Sequence, residues 1–137
     1  AVKHRWPDVT VMVAEPKDFA DYGQSLKSGA RVTNAPGARS ICDALLSPTP
    51  GEITFAVNRR LLAGGISASD EDILRTMRFA LMRLKLVIEP GGAAALASVL
   101  IRREEMRGKT VAVVASGGNA DPETLLRALE APDFDFG

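Results

Sequence analysis

The chain has 137 residues, 46% hydrophobic and 25% charged, a balance that suits one globular domain with a core of its own. Its 17 basic and 17 acidic residues cancel, and no basic stripe interleaved with aromatics appears, so nucleic acid is excluded as an expected partner. The apolar runs are too short to span a membrane, no signal peptide opens the sequence, and the single cysteine, Cys42, excludes a disulfide framework, so a reducing, cytoplasmic setting is expected.

Taken in order, Ala1-Val2-Lys3-His4-Arg5-Trp6-Pro7 reads as the end of a helix, and the chain is expected to be a single segment (1–137) of a larger protein. Residues 9–14 (VTVMVA) form a β-branched run and predict a buried strand, closed by Glu15-Pro16. Asp18 is placed to cap a helix running to Lys27, ended by Ser28-Gly29. Glu15 and Asp21 then lie near a strand's carboxyl end and a first helical turn. Carboxylates there can accept from free backbone N–H groups, or can bind a hard cation between them. Residues 31–50 are irregular, broken by Pro36-Gly37, Pro48 and Pro50, with a turn of helix expected within residues 40–46. Cys42 sits in that apolar patch and reads as a small buried hydrophobe rather than a nucleophile.

Gly51-Glu52 opens another expected helix, to about Leu62, and residues 64–68 are a second short strand. Ser69-Asp70-Glu71-Asp72 is a helix start, with Ser69 as cap and acids in the first turn. Ile73, Met77, Ala80 and Leu84 follow at helical spacing, which makes the methionine a core residue. After Glu89-Pro90-Gly91-Gly92, residues 93–101 are apolar almost all round and predict a buried helix. Val111, Val113 and Val114 predict a third strand, ending at Ser116-Gly117-Gly118-Asn119. Asp121 and Pro122 then start the last helix. Ser116 would sit at a strand's carboxyl end, where open α/β sheets hold ligands, although the same pattern serves as a tight connection. Residues 131–137 are expected to be an exposed tail, and His4, the only histidine, a surface group. Three strands alternating with about five helices make an α/β layered domain, or half of one.

Glu89-Pro90-Gly91-Gly92-Ala93-Ala94-Ala95, followed by Ser116-Gly117-Gly118-Asn119, resembles the C-terminal part of the fold-type II pyridoxal-phosphate enzymes, in the threonine dehydratase and serine racemase branch. Ala14-Glu15-Pro16, Ile41-Cys42-Asp43, Ser69-Asp70-Glu71 and Arg83-Leu84-Lys85 occur in the order that branch shows, so the likeness covers nearly the whole chain. The resemblance implies part of a twisted, mostly parallel sheet with helices on both faces, the C-terminal half of a large catalytic domain without a regulatory domain. It implies pyridoxal 5'-phosphate as cofactor, with Ser116 bonding the pyridine nitrogen, Gly117 and Gly118 letting the backbone approach the ring, and Asn119 in the same turn. Glu89 matches a glutamate at the cofactor's edge. Asp43 and Ala44 match a loop beside it, where the family often has Asp-Gly. Glu15, the Phe19 carbonyl and Asp21 match a site for Mg2+, Mn2+ or Ca2+ in racemase-like members.

The family's Schiff-base lysine, in a Ser-x-Lys-x-Arg context, has no match among Lys3, Lys17, Lys27, Lys85 and Lys109, and its tetraglycine phosphate loop has none either. No catalytic residue is therefore assigned to this chain, which is expected to be inactive alone. It is expected to pair with the N-terminal half of the same enzyme, to form a homodimer when complete, and to act on a small amino acid. The implied reaction is ammonia loss from L-threonine or L-serine. Serine racemization and hydroxyaspartate dehydration are the same-cofactor alternatives, and a non-catalytic phosphate-binding or structural fragment is the alternative from another class.

Overall fold

The computed structural model describes residues 1–136. After a one-turn helix α1 (Val2–Arg5), strand β1 (Met12–Pro16) leads through a 3-10 turn at Lys17–Phe19 into helix α2 (Asp21–Ser28). Gly29 ends α2 in the left-handed conformation, its N–H donating back to the Ser25 carbonyl, as the Ser28-Gly29 pair predicts. A 3-10 turn at Asp43–Leu45 and helix α3 (Glu52–Asn58) precede strand β2 (Gly64–Ala68), which lies parallel to β1 with Glu15 opposite Ser67. A parallel pair needs a crossover, and residues 17–63 supply it.

Successive strand residues point to opposite faces. Gly65 therefore meets Gly23 of α2, while Ala68 enters the core with the helices that follow. The first of these is α4 (Asp70–Phe79), which starts in a capping box: the Ser69 hydroxyl accepts the Asp72 N–H, and the Asp72 carboxylate accepts the Ser69 N–H. A π-helical turn at Ala80–Leu84 ends at Lys85, the one non-glycine described residue with positive φ (60°). Helix α5 (Pro90–Leu100) is buried along Ala93, Ala94, Ala97 and Ser98, as its apolar composition predicts. Helix α6 (Pro122–Glu130) begins at Asp121, whose carboxylate accepts the Thr124 N–H at 2.8 Å. The architecture is mixed α/β, with α2 and α5 against opposite faces of a parallel strand pair.

Two expectations need correction, beyond a shift of the first strand from residues 9–14 to Met12–Pro16. Residues 111–114 form no strand: among the described residues the sheet has two strands, and Val111 and Val114 are exposed. An apolar run becomes a strand only where a neighbour completes its hydrogen bonds, and among the described residues none does so for this one. Asp18 does not cap a helix. It lies in the 3-10 turn, and α2 begins after Ala20 without a side-chain cap of its own. The tail is largely exposed, as expected, yet it rests on α4. Phe134 and Phe136 form edge contacts with Phe79, the Arg75 guanidinium lies 4.3 Å from the Phe134 ring centre, and Arg78 pairs with Asp133 at 2.8 Å. Gly137 lies outside the described residues.

The Arg78 hydrogen bond and charge hold the Asp133 carboxyl below its ordinary 3.8. A depressed carboxyl contributes stability above its ordinary value and loses it as pH falls through the depressed one. The melting-temperature gap between the wild type and Asp133→Asn should therefore be small, and should close on acidification below about pH 4. A gap independent of pH would show that the ion pair does not hold the tail.

Candidate functional site

Two groups of expected residues are brought together, one around the first turn of α5 and one at the start of α2. In the first, Pro90 occupies the opening helical position and leaves Glu89 extended, at φ −77° and ψ 163°. Glu89 does not cap α5 with its side chain. Its carboxylate instead accepts the Asn119 N–H at 3.1 Å, across thirty residues of sequence, and its own N–H donates to the Gly117 carbonyl at 3.2 Å. Gly117 adopts φ +75°, and a side chain there would run into the Glu89 carboxylate. A side chain at Gly92 would likewise run into the Ser116 carbonyl. The turn at 116–119 thus lies flat on the start of α5.

Asp43 and Ala44 reach the same helical turn from the other chain segment. The Asp43 carboxylate accepts the Ala44 N–H at 2.8 Å, within the 3-10 turn. The Ala44 methyl lies 3.4 Å from where a Cβ on Gly91 would be. The two segments expected around a cofactor, 43–44 and 116–119, therefore meet Glu89 about residues 89–92. The Ser116 hydroxyl is exposed and takes no hydrogen bond among the described residues, so it is available to a ligand. The Ala44 N–H is already used by Asp43. The sequence motif by itself gave Gly91 and Gly92 no role. Two glycines opening a helix, where glycine costs about 1 kcal/mol each against alanine, were the available signal that close approach is needed there.

At the second group, Glu15 reaches from β1 to the start of α2. Its Oε1 accepts the Tyr22 N–H and its Oε2 the Gly23 N–H, both at 2.8 Å, so it supplies the cap that Asp18 does not. Burial nevertheless pushes the Glu15 carboxyl above its ordinary value, against the pull of those two bonds, and the nearby Asp21 charge adds to the rise. Asp21 is 5% exposed and accepts from the Asn34 amide at 2.7 Å; Phe19, in the 3-10 turn before α2, is buried. No cluster of three or more His, Cys, Asp or Glu gathers among the described residues. Cys42 is fully buried and its thiol is pushed up to about 11 by desolvation, which suits the core role expected of it.

The family model described as "Pyridoxal-phosphate dependent enzyme" matches residues 1–117. The chain belongs to this family. It is 34% identical over 116 residues to an L-threo-3-hydroxyaspartate ammonia-lyase from Saccharomyces cerevisiae, an alignment covering 84% of this chain and 35% of that protein. Among solved structures it is similar to a threonine deaminase from T.th., with a TM-score of 0.81, 32% identity, and coverage of 88% of this chain and 43% of that one. It is also similar to maize serine racemase, with a TM-score of 0.82, 30% identity, and coverage of 94% and 42%. The chain thus spans less than half the length of each of these proteins. No helix among the described residues is long and apolar enough to cross a membrane.

Proposed function

We propose that this chain is the C-terminal portion of a pyridoxal-phosphate-dependent ammonia-lyase that converts L-threonine or L-serine to a 2-oxo acid and ammonium. The observation that carries the reading is the convergence of Glu89 and the Ser116–Gly117 backbone on one helical turn, with the Ser116 hydroxyl without a partner among the described residues, within a family that uses this cofactor. Neutral donors and a cradle without side chains suit a flat aromatic ring. When bound, pyridoxal phosphate supplies the electron withdrawal that lets an α-proton and then a β-hydroxyl leave an amino acid. Ser116 would hydrogen-bond the ring nitrogen. A hydroxyl, unlike a carboxylate, does not keep that nitrogen protonated, and this moderates the electron demand toward elimination. Glu89, oriented by the Asn119 N–H, would stand at the ring's edge, with Asp43 and Ala44 forming the loop beside it. The lysine that carries the cofactor and abstracts the proton would come from the N-terminal half of the protein.

Several apolar side chains are exposed here, among them Met82, Leu84, Leu86, Val87 and Val114. Such a surface supports a covering N-terminal half, and the complete enzyme would work as a cytoplasmic homodimer. The likeness to the Saccharomyces cerevisiae enzyme favours hydroxyaspartate dehydration as a second reading, and the likeness to maize serine racemase favours racemization. The test is the full-length protein: a near-visible absorbance band from bound cofactor, and 2-oxo acid released from L-threonine or L-serine. Release from hydroxyaspartate alone, or D-serine as the main product, would select an alternative. Absence of bound cofactor would leave a structural or phosphate-binding role.

Glu15, the Phe19 carbonyl and Asp21 are proposed as a divalent-cation site in the same enzyme. A ligand of the native state stabilises it by mass action, so magnesium, calcium or manganese should raise the melting temperature. Asp21→Ala should abolish the rise. A wild type indifferent to all three ions would reduce Glu15 to a helix cap.

A further inference from the structure

Asp70 opens α4, but that helix is already capped by Ser69 and Asp72, and the Asp70 carboxylate turns elsewhere. Its Oδ1 accepts the Ser40 hydroxyl at 2.6 Å, and its Oδ2 accepts the Ile41 N–H at 3.0 Å. The Ser40 oxygen in turn accepts the Cys42 N–H at 3.2 Å. Cys42 is anchored in the core, and its carbonyl accepts the Leu45 N–H at 2.8 Å, closing the 3-10 turn at Asp43–Leu45. That turn sets Ala44 and Leu45 against Gly91, in the helical turn where Glu89 and residues 116–119 meet. An unbroken series of hydrogen bonds thus runs from the start of α4 to one wall of the candidate site. The loop it restrains has few regular backbone bonds of its own, so a charged acceptor gripping two of its donors decides where it lies.

We propose that Asp70 is a positioning residue, pinning Ser40 and Ile41 so that Asp43–Leu45 is held against the first turn of α5 as a wall of the cofactor site. The inference rests on the pyridoxal-phosphate reading above. It is tested in the full-length protein with two readouts: amide hydrogen exchange of Ile41, Cys42 and Leu45 without cofactor, and titration with pyridoxal phosphate itself. Asp70→Ala should speed exchange at those amides and weaken cofactor binding about tenfold, the scale of a lost charged hydrogen bond. Asp70→Asn can still accept from Ile41 and donate to Ser40, and should restore most of both. Ser40→Ala removes one arm, gives a smaller change, and serves if Asp70→Ala fails to fold. Asp72→Ala, which uncaps the same helix without touching the loop, should lower the melting temperature and leave cofactor affinity unchanged.

Unchanged exchange in Asp70→Ala and Ser40→Ala would overturn the restraint itself. Faster exchange with wild-type cofactor affinity would overturn the positioning role, as would an Asp72→Ala variant that weakens cofactor equally. A wild type that binds no pyridoxal phosphate would sink the functional reading and this role together, while the exchange data would still report whether Asp70 holds the loop.

Discussion

Gly92→Ala is expected to separate the two halves of the candidate site, whereas Gly91→Ala, one residue away, should be tolerated. A Cβ on Gly92 would occupy the place of the Ser116 carbonyl oxygen, which is backbone and cannot rotate away. Either the turn at 116–119 lifts off the start of α5 or the helix shifts, and overpacking of this kind costs about 1–3 kcal/mol. Lifting the turn would also stretch the bonds joining Glu89 to Gly117 and Asn119. A Cβ on Gly91 meets the Ala44 methyl at 3.4 Å, an ordinary contact, and replaces glycine in a helix with a residue better by about 1 kcal/mol. Thermal melts and cofactor titrations of the two variants in the full-length protein should therefore diverge: Gly92→Ala less stable with cofactor binding impaired, Gly91→Ala near the wild type or above it. Two variants behaving alike would mean that the turn does not need to lie against residue 92.

Ser116→Ala should lower turnover more than it lowers cofactor affinity. The substitution removes the hydroxyl proposed to bond the ring nitrogen and leaves the backbone geometry of Gly117 untouched. One neutral hydrogen bond is worth about 1 kcal/mol, so binding should weaken several-fold at most. The ring's electron demand is greatest in the transition state for proton removal, and an interaction that grows there is felt in the rate rather than in binding. Ser116→Asp tests the same contact with a charge. A carboxylate favours a protonated ring nitrogen, strengthens electron withdrawal, and should divert product away from simple elimination. The measurements are the absorbance of bound cofactor and the release of 2-oxo acid in each variant. Wild-type binding and turnover in both would reduce Ser116 to part of a tight turn.

Much of the architecture was legible because its signals are local. The limits of β2, the cap formed by Ser69 and Asp72, the Asp121-Pro122 start of α6 and the glycine that ends α2 each depend on residues within four or so positions. The family motifs at residues 89–95 and 116–119 were legible for a different reason, since close backbone approach demands particular residue types whatever surrounds them. What the sequence alone could not decide were matters of partnership. Val111, Val113 and Val114 have the composition of a strand, yet among the described residues no neighbour completes their hydrogen bonds. Asp18 is well placed by local rules to cap α2, but Glu15 reaches in from β1 and takes the free N–H groups of Tyr22 and Gly23. The tail is exposed as expected, but only the packed fold shows that Phe134 meets Phe79 and Arg75 of α4. Glu89 with Asn119 and Ser40 with Asp70 are each thirty positions apart, and only the folding of α4 and α5 against the strands brings them within hydrogen-bonding distance. Caps and turns are set by neighbours in the chain. Which acceptor meets which donor across the fold is set by packing, because a buried polar group takes whatever partner the packed elements place beside it.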